Sequence, residues 1–450
     1  LNEVERRQLK DWLASPVHNR REEVCRLFAH IDNYLHHLRL PLDREQVYRS
    51  LYPSRVFDDL HLRQLCHYLL QSTETWLAWR NSDSTPTPSL LAEYRARGLG
   101  RLFEHSYKKA IQTLEKSTHR HPEYYWQHYL LARERYAWDS ARGRLGNLNL
   151  EHQEELLQVA LLGFKLRQAY LSLAPQQLSD MPVNIPMLDA VLANAATAKQ
   201  QAIPMVRIYY LAIQLYRQTE EDAVFEQFSE AFRAHSHIFT TDEARDLLLL
   251  GINFGIRRIN TEQGAYLRAC LLLFQQGLDT ELLLEDGRLN TLTYNNIAGI
   301  AIRLLELDWA STFLETYRTR LDSRDREAVY ALNAARLAYT RRDYAIALQL
   351  LRTCNDLDFV HQMSARILQL KIHVDNQEID LALNHIRNTR TYLKRQPNTG
   401  YHKENYRNIL LLSEHWCKRP AYDQEKYHNW LTAVKNTHPL TERAWLLGLI

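Results

Sequence analysis

Backbone breakers are scarce in this chain of 450 residues, which holds only 13 glycines and 13 prolines. Average usage is about 7% and 5%, so few sites exist for tight turns or helix interruption. Alternating strand patterns bounded by turn residues are missing. Plentiful Leu, Ala, Arg, Gln and Glu favour an almost wholly helical chain. Long apolar runs are missing too. The longest uncharged apolar runs, such as Leu247 to Ile256, fall short of the roughly 18 residues a spanning helix needs, so no membrane partner is expected. Nor is charge one-sided: 56 basic side chains face 53 acidic ones. That excludes a surface built wholly as a polyanion receptor and leaves room for a local basic stripe.

Cysteine is sparse and unpatterned. Cys25, Cys66, Cys270, Cys354 and Cys417 are odd in number and form no CxxC pair, which suggests neither a zinc site nor a disulfide framework. Each falls among apolar residues of a helical pattern and is expected as a buried free thiol. A reducing cytoplasm is the expected compartment. The charged opening Leu1 to Asp11 does not read as a signal peptide, although the chain starts at Leu and leaves open what precedes it.

What is present is a repeat. Asp308-Trp309, Asp343-Tyr344 and Glu378-Ile379 recur in steps of 35 residues. A small residue follows at Thr312, Ala347 and Ala382, then a large apolar one at Phe313, Leu348 and Leu383, and another column reads Leu304, Tyr339 and Val374. Two helices of about four turns plus two turns use roughly this many residues, so each period reads as a helical hairpin that buries its apolar face only by stacking. Trp309 and Tyr344 are expected to open second helices, with the small column where the backbones approach.

Other helices are expected at Glu3–Ala14, Arg20–Leu38, Asp43–Leu51 (capped by Asp43) and Phe57–Trp79, then Leu90–Ser117, Pro122–Ala141 and Leu150–Leu173. Pairs follow at 187–200 with 204–217, 220–235 with 242–259, and 263–277 with 291–306. Thr241 and Thr261 are expected caps, and Thr441–Ile450 an expected closing helix. Leu40-Pro41-Leu42 reads as a break, Asn81–Ser89 as a linker and Pro175–Pro186 as a second boundary. The division is a helical head over 1–80, a connecting region over 90–174 and a repeat domain over 187–450.

The stretch Ala331-x2-Ala334-Ala335-x2-Ala338-Tyr339-x3-Asp343-Tyr344-x2-Ala347-Leu348-x2-Leu351 resembles the tetratricopeptide repeat. The early Trp and closing Pro of that family are missing here. The resemblance implies a right-handed α-solenoid of helical hairpins, most clearly over 291–395. It also implies that Asn and basic residues of first helices hold peptide carboxylates; Asn333 and Arg336 resemble such groove positions, with Asn296 nearby. The whole chain looks similar to a group of bacterial proteins of Bacteroidetes type, on Glu5-Arg6-Arg7 to Pro16 and Thr441-Glu442-Arg443-x-Trp445-Leu446-Leu447. That likeness brings a fold and no activity.

Catalytic patterns are weak. His119, His121 and His128 lie near Glu123, but two precede Pro122 in a turn, and HExxH is absent. Ser106-x-x-Lys109 lacks its companion motifs, and Gly98-x-Gly100 lacks a preceding strand and a third glycine. No catalytic residue, metal site, cofactor or small-molecule substrate is expected. Lys108, Lys109, Tyr125, Tyr129 and Arg133 form a possible aromatic and basic patch for RNA bases or a peptide, with inward packing the simpler reading. Asp43–Leu51 and the helix from Phe57 could form a DNA-reading helix-turn-helix, though Asp58 and Asp59 at the second helix's start would repel phosphates. The expectation is a non-enzymatic protein- or peptide-binding scaffold. The alternative is a nucleic-acid-associated regulator using the head.

Overall fold

The chain is all-α. The computed structural model describes residues 1–37, 43–80, 88–143, 149–176, 184–217, 222–260, 264–354, 358–396, 401–419 and 423–449. The expected break at Leu40–Leu42, most of the Asn81–Ser89 linker, most of the Pro175–Pro186 loop and the Thr261 cap lie outside the described residues. No described helix is long and apolar enough to cross a membrane.

Two compact units divide the chain, at a point inside one helix, so the expected 90–174 region is shared between them. The first, 1–116 with 130–148, contains α1 (Glu3–Ala14), α2 (Glu22–His37), α3 (Arg44–Leu51), α4 (Asp59–Arg80), α5 (Pro88–Ala96), α6 (Gly100–Lys116) and the later part of α7 (Pro122–Ser140). Asn2 and Glu5 close a capping box on α1, and Asp43 accepts from the Gln46 amide to start α3. Leu9, Leu13, Val24, Leu27, Leu65 and Trp76 share one buried cluster in the head, and Phe103 stacks on Trp138 at 4.3 Å in another. The single helix expected over Leu90–Ser117 is two. Gly98 takes φ +69 and the Leu99 amide reaches back to the Tyr94 carbonyl, a left-handed stop that a side chain would strain. Cys66 is exposed, against expectation, because α4 turns Leu62, Leu65 and Leu69 inward; Cys25 and Cys417 are half-buried, Cys270 and Cys354 buried.

The second unit, 117–129 with 149–450, continues through α8 (Leu150–Gln176), α9 (Leu188–Ala195), α10 (Ala198–Gln201), α11 (Pro204–Arg217), α12 (Asp222–His235), α13 (Thr241–Asn260) and α14 (Tyr266–Asp279). There follow α15 (Thr291–Arg303), α16 (Leu307–Arg318), α17 (Arg326–Thr340), α18 (Tyr344–Leu351), α19 (Phe359–Asp375), α20 (Ile379–Arg395), α21 (Tyr401–Lys418), α22 (Gln424–Asn436) and α23 (Arg443–Leu447). One buried cluster runs from Val159 to Ile372 and a second from Met363 to Leu446. Contrary to the strand-free expectation, β1 (Leu284–Glu285) pairs with β2 (Arg288–Leu289) around Asp286 and Gly287, both at positive φ. The cap of α13 is Thr240 in place of Thr241, its hydroxyl accepting from the Glu243 amide at 3.4 Å. The closing helix is shorter than expected, starting after Glu442 at φ +55.

Three turns in this unit share one geometry. Leu305, Arg342 and Gln377 are left-handed, and Glu306, Asp343 and Glu378 follow, their amides bonded to the carbonyls of Ala301, Ala338 and His373. Counted from these turns, the fully buried small column is Ala310, Ala347 and Ala382, and Leu314, Leu351 and Ile386 are buried four residues on. The first period is therefore two residues longer than the second. Thr312, assigned to the small column by sequence spacing, is exposed. The helices before these turns also touch directly, α15 on α17, α17 on α19 and α19 on α21.

Candidate partner-binding site

The row of α15, α17 and α19 holds a chain of polar groups inside an apolar wall. Asn333 of α17 is wholly buried; its Nδ2 donates to Asn295 Oδ1 of α15 at 2.6 Å and to the Val329 carbonyl at 2.9 Å. Asn295 Nδ2 meets His361 Nε2 of α19 at 2.8 Å, and His361 Nδ1 meets Asp358 Oδ2 at 2.5 Å. Asp358 also caps α19, accepting from the amides of Val360 and His361. At the other end Arg336 Nη1 donates to Asn333 Oδ1 at 3.2 Å. The chain thus joins three helices through groups far apart in sequence.

Arg336 is the electrostatic exception. It is partly buried, and burial holds its pKa below the usual guanidinium range. Among the described residues no carboxylate lies within ion-pair distance of it; Glu442, the acid acting on it, is itself bound by Lys371 at 2.7 Å. Counted from the turns, the residue equivalent to Arg336 in the preceding hairpin is Gly299, where a Cβ would meet nothing within 4 Å. A desolvated cation without an ion-pair partner has the chemistry to accept a carboxylate. By the same count Asn296 stands where Asn333 does, yet Asn295 makes the bond and Asn296 stays partly buried beside it.

The residues of the other expected patch are divided between the two units. Lys108 and Lys109 are exposed on α6, and exposed Arg133 lies 3.6 Å from Glu134, all in the first unit. Tyr125 and Tyr129 belong to the second. Tyr125 packs on its core, and Tyr129 leans on Trp126 at 5.3 Å and lines a groove of about 690 Å³ with Glu151, Glu154 and Glu155. Those acids repel a phosphate backbone. In the head, Asp58 caps the His61 amide and Asp59 pairs with Arg63 at 2.6 Å and Arg44 at 3.3 Å.

A second polar knot escaped the sequence reading. Arg167 of α8 grips Glu123 through both terminal nitrogens, at 2.6 and 3.2 Å, and lies 3.7 Å from Glu243 of α13. Tyr209 donates its hydroxyl to Glu243, and His121 Nδ1 sits 3.0 Å from Glu123. Burial alone would raise both carboxyls. Hydrogen bonds from His121 and Arg167 instead lower Glu123 to about 2, while burial prevails at Glu243 and raises it. His121, Glu123, Arg167 and Glu243 line a pocket of about 440 Å³ together with Asp242 and Asp246. Among the described residues no group of three His, Cys, Asp or Glu is placed to hold a metal ion. Comparison with protein-family models, with curated proteins and with solved structures gave no match.

Proposed function

We propose that the chain is a non-enzymatic, cytoplasmic scaffold: an α-solenoid of tetratricopeptide-like hairpins, fronted by a helical head, that binds an acidic segment of a partner protein along the α15–α17–α19 row. The single observation behind the binding role is Arg336, a partly buried cation bonded to Asn333 with no carboxylate at ion-pair distance among the described residues. The thrice-repeated turn supports the repeat reading, and five free thiols support a reducing compartment. The test is a library of fluorescein-labelled acidic octapeptides, with free and amidated C-termini, titrated by anisotropy. Members should bind in a salt-sensitive way and lose binding on Arg336→Met. Binding unchanged by that substitution, or no binding by any member, would overturn the proposal. The acids around Tyr129 and at the start of α4 weigh against the nucleic-acid alternative.

A further inference from the structure

On the second-helix side of the hairpins, α16 carries three rings at four-residue spacing, Trp309, Phe313 and Tyr317, and so on one face. Trp309 and Phe313 lie parallel within 6° at 5.5 Å, and Phe313 and Tyr317 follow at 5.3 Å. Helix α14 brings Gln275, Leu278 and Asp279 opposite. Both α14 and α16 pack on α15, and between them remains a slot of about 220 Å³, with Thr312 and Thr316 completing its lining.

Two observations give the slot a sign. Exposed Asp279 has no hydrogen-bond or ion-pair partner among the described residues, and Glu281 follows two positions on. Together with burial, these two acids raise the Tyr317 phenol, while the nearby Arg320 is turned to the Gly287 carbonyl at 3.2 Å. The protein elsewhere covers its aromatic faces with its own cations: Arg21 over Tyr68 at 3.4 Å, Arg142 over Trp138 at 3.7 Å and Arg318 over Tyr330 at 4.2 Å. Among the described residues, none lies over Trp309, Phe313 or Tyr317.

We propose that this slot receives the guanidinium of an arginine side chain from another protein. A planar, weakly hydrated guanidinium stacks on parallel rings, and its five donors suit the Asp279 carboxylate, the Gln275 carbonyl oxygen and the Thr316 hydroxyl. A quaternary ammonium has no donor for Asp279, and a lysine ammonium stacks less well and is more strongly hydrated. The site is separate from Arg336 and opposite to it in charge, so it stands whether or not Arg336 binds acids.

The test uses the full chain labelled with fluorotryptophan, the Trp309 line being the one missing from Trp309→Phe. Nα-acetyl-arginine methylamide should shift that line saturably. The citrulline analogue, which keeps the shape and lacks the charge, should bind at least ~10-fold more weakly. Asp279→Asn, at an exposed position, should keep the circular dichroism and melting temperature of the parent and weaken arginine binding ~5-fold or more. Arg336→Met should leave arginine binding unchanged. An unmoved Trp309 line, equal binding of citrulline, tighter binding of the trimethyl-lysine analogue, parental affinity in Asp279→Asn, or loss in Arg336→Met would each overturn the proposal.

Discussion

Asn333→Asp separates the binding role of the polar chain from its structural role. Asn333 Oδ1 lies 3.2 Å from Arg336 Nη1, so the substitution gives Arg336 an internal carboxylate with little change of shape. Two unit charges at that distance attract by about 5 kcal/mol at an effective dielectric near 20. The cost of burying the new carboxylate offsets roughly half of this. An incoming acid must then compete with about 2–3 kcal/mol, which weakens binding by roughly 30- to 150-fold. Stability should move far less. The aspartate loses two neutral donor bonds, to Asn295 and Val329, worth about 1–3 kcal/mol together, and gains the charged pair. Anisotropy with the tightest acidic octapeptide reports the first effect, and urea unfolding the second. Affinity within ~3-fold of the parent, in a variant of parental stability, would refute the assignment of Arg336 as receiver.

Two further predictions address the scaffold. Ala310→Leu forces a large side chain into a fully buried position and should cost about 1–3 kcal/mol, whereas Thr312→Leu, on the exposed face, should change urea stability by less than ~0.5 kcal/mol; equal effects would mean the turns have been aligned wrongly. At Glu243 the folded carboxyl is raised by burial, so the stability it contributes is present below the ordinary 4.5 and lost as pH climbs through the folded value. Glu243→Gln should therefore raise the melting temperature at neutral pH, with the gain shrinking toward pH 4.5; a gain that is flat or grows on acidification would contradict the burial argument.

Much of the helical layout was legible because helix ends carry local chemistry. The span Glu3–Ala14 of α1 was readable from its pattern, and the start of α3 from Asp43. The repeat was legible as a period and misleading as an alignment. Its turns are set by left-handed Leu305, Arg342 and Gln377, none of them the glycine or asparagine that normally betrays such a position. The acid–aromatic pair Asp308-Trp309 then imitates Asp343-Tyr344 from two residues inside α16. The short ribbon at Leu284–Leu289 had its Asp-Gly signal, but strands of two residues leave no alternation to detect.

The site was half legible for a related reason. Along α17, the positions three and four residues from Arg336 are Leu332, Asn333, Tyr339 and Thr340. None is acidic, so the sequence already excluded an ion pair within the helix. It could not exclude a pair from a neighbouring helix, because those partners are fixed by packing at separations such as the 38 residues between Asn295 and Asn333. The same limit hid the grip of Arg167 on Glu123, 44 residues away. The two arginines show what packing decides. Arg167 has the Glu123 and Glu243 carboxylates at 2.6 and 3.7 Å, while among the described residues Arg336 has an amide partner and no carboxylate at ion-pair distance. A guanidinium left with a neutral partner has lost hydration without gaining a counter-charge, and the proposed capture of an acid rests on that imbalance.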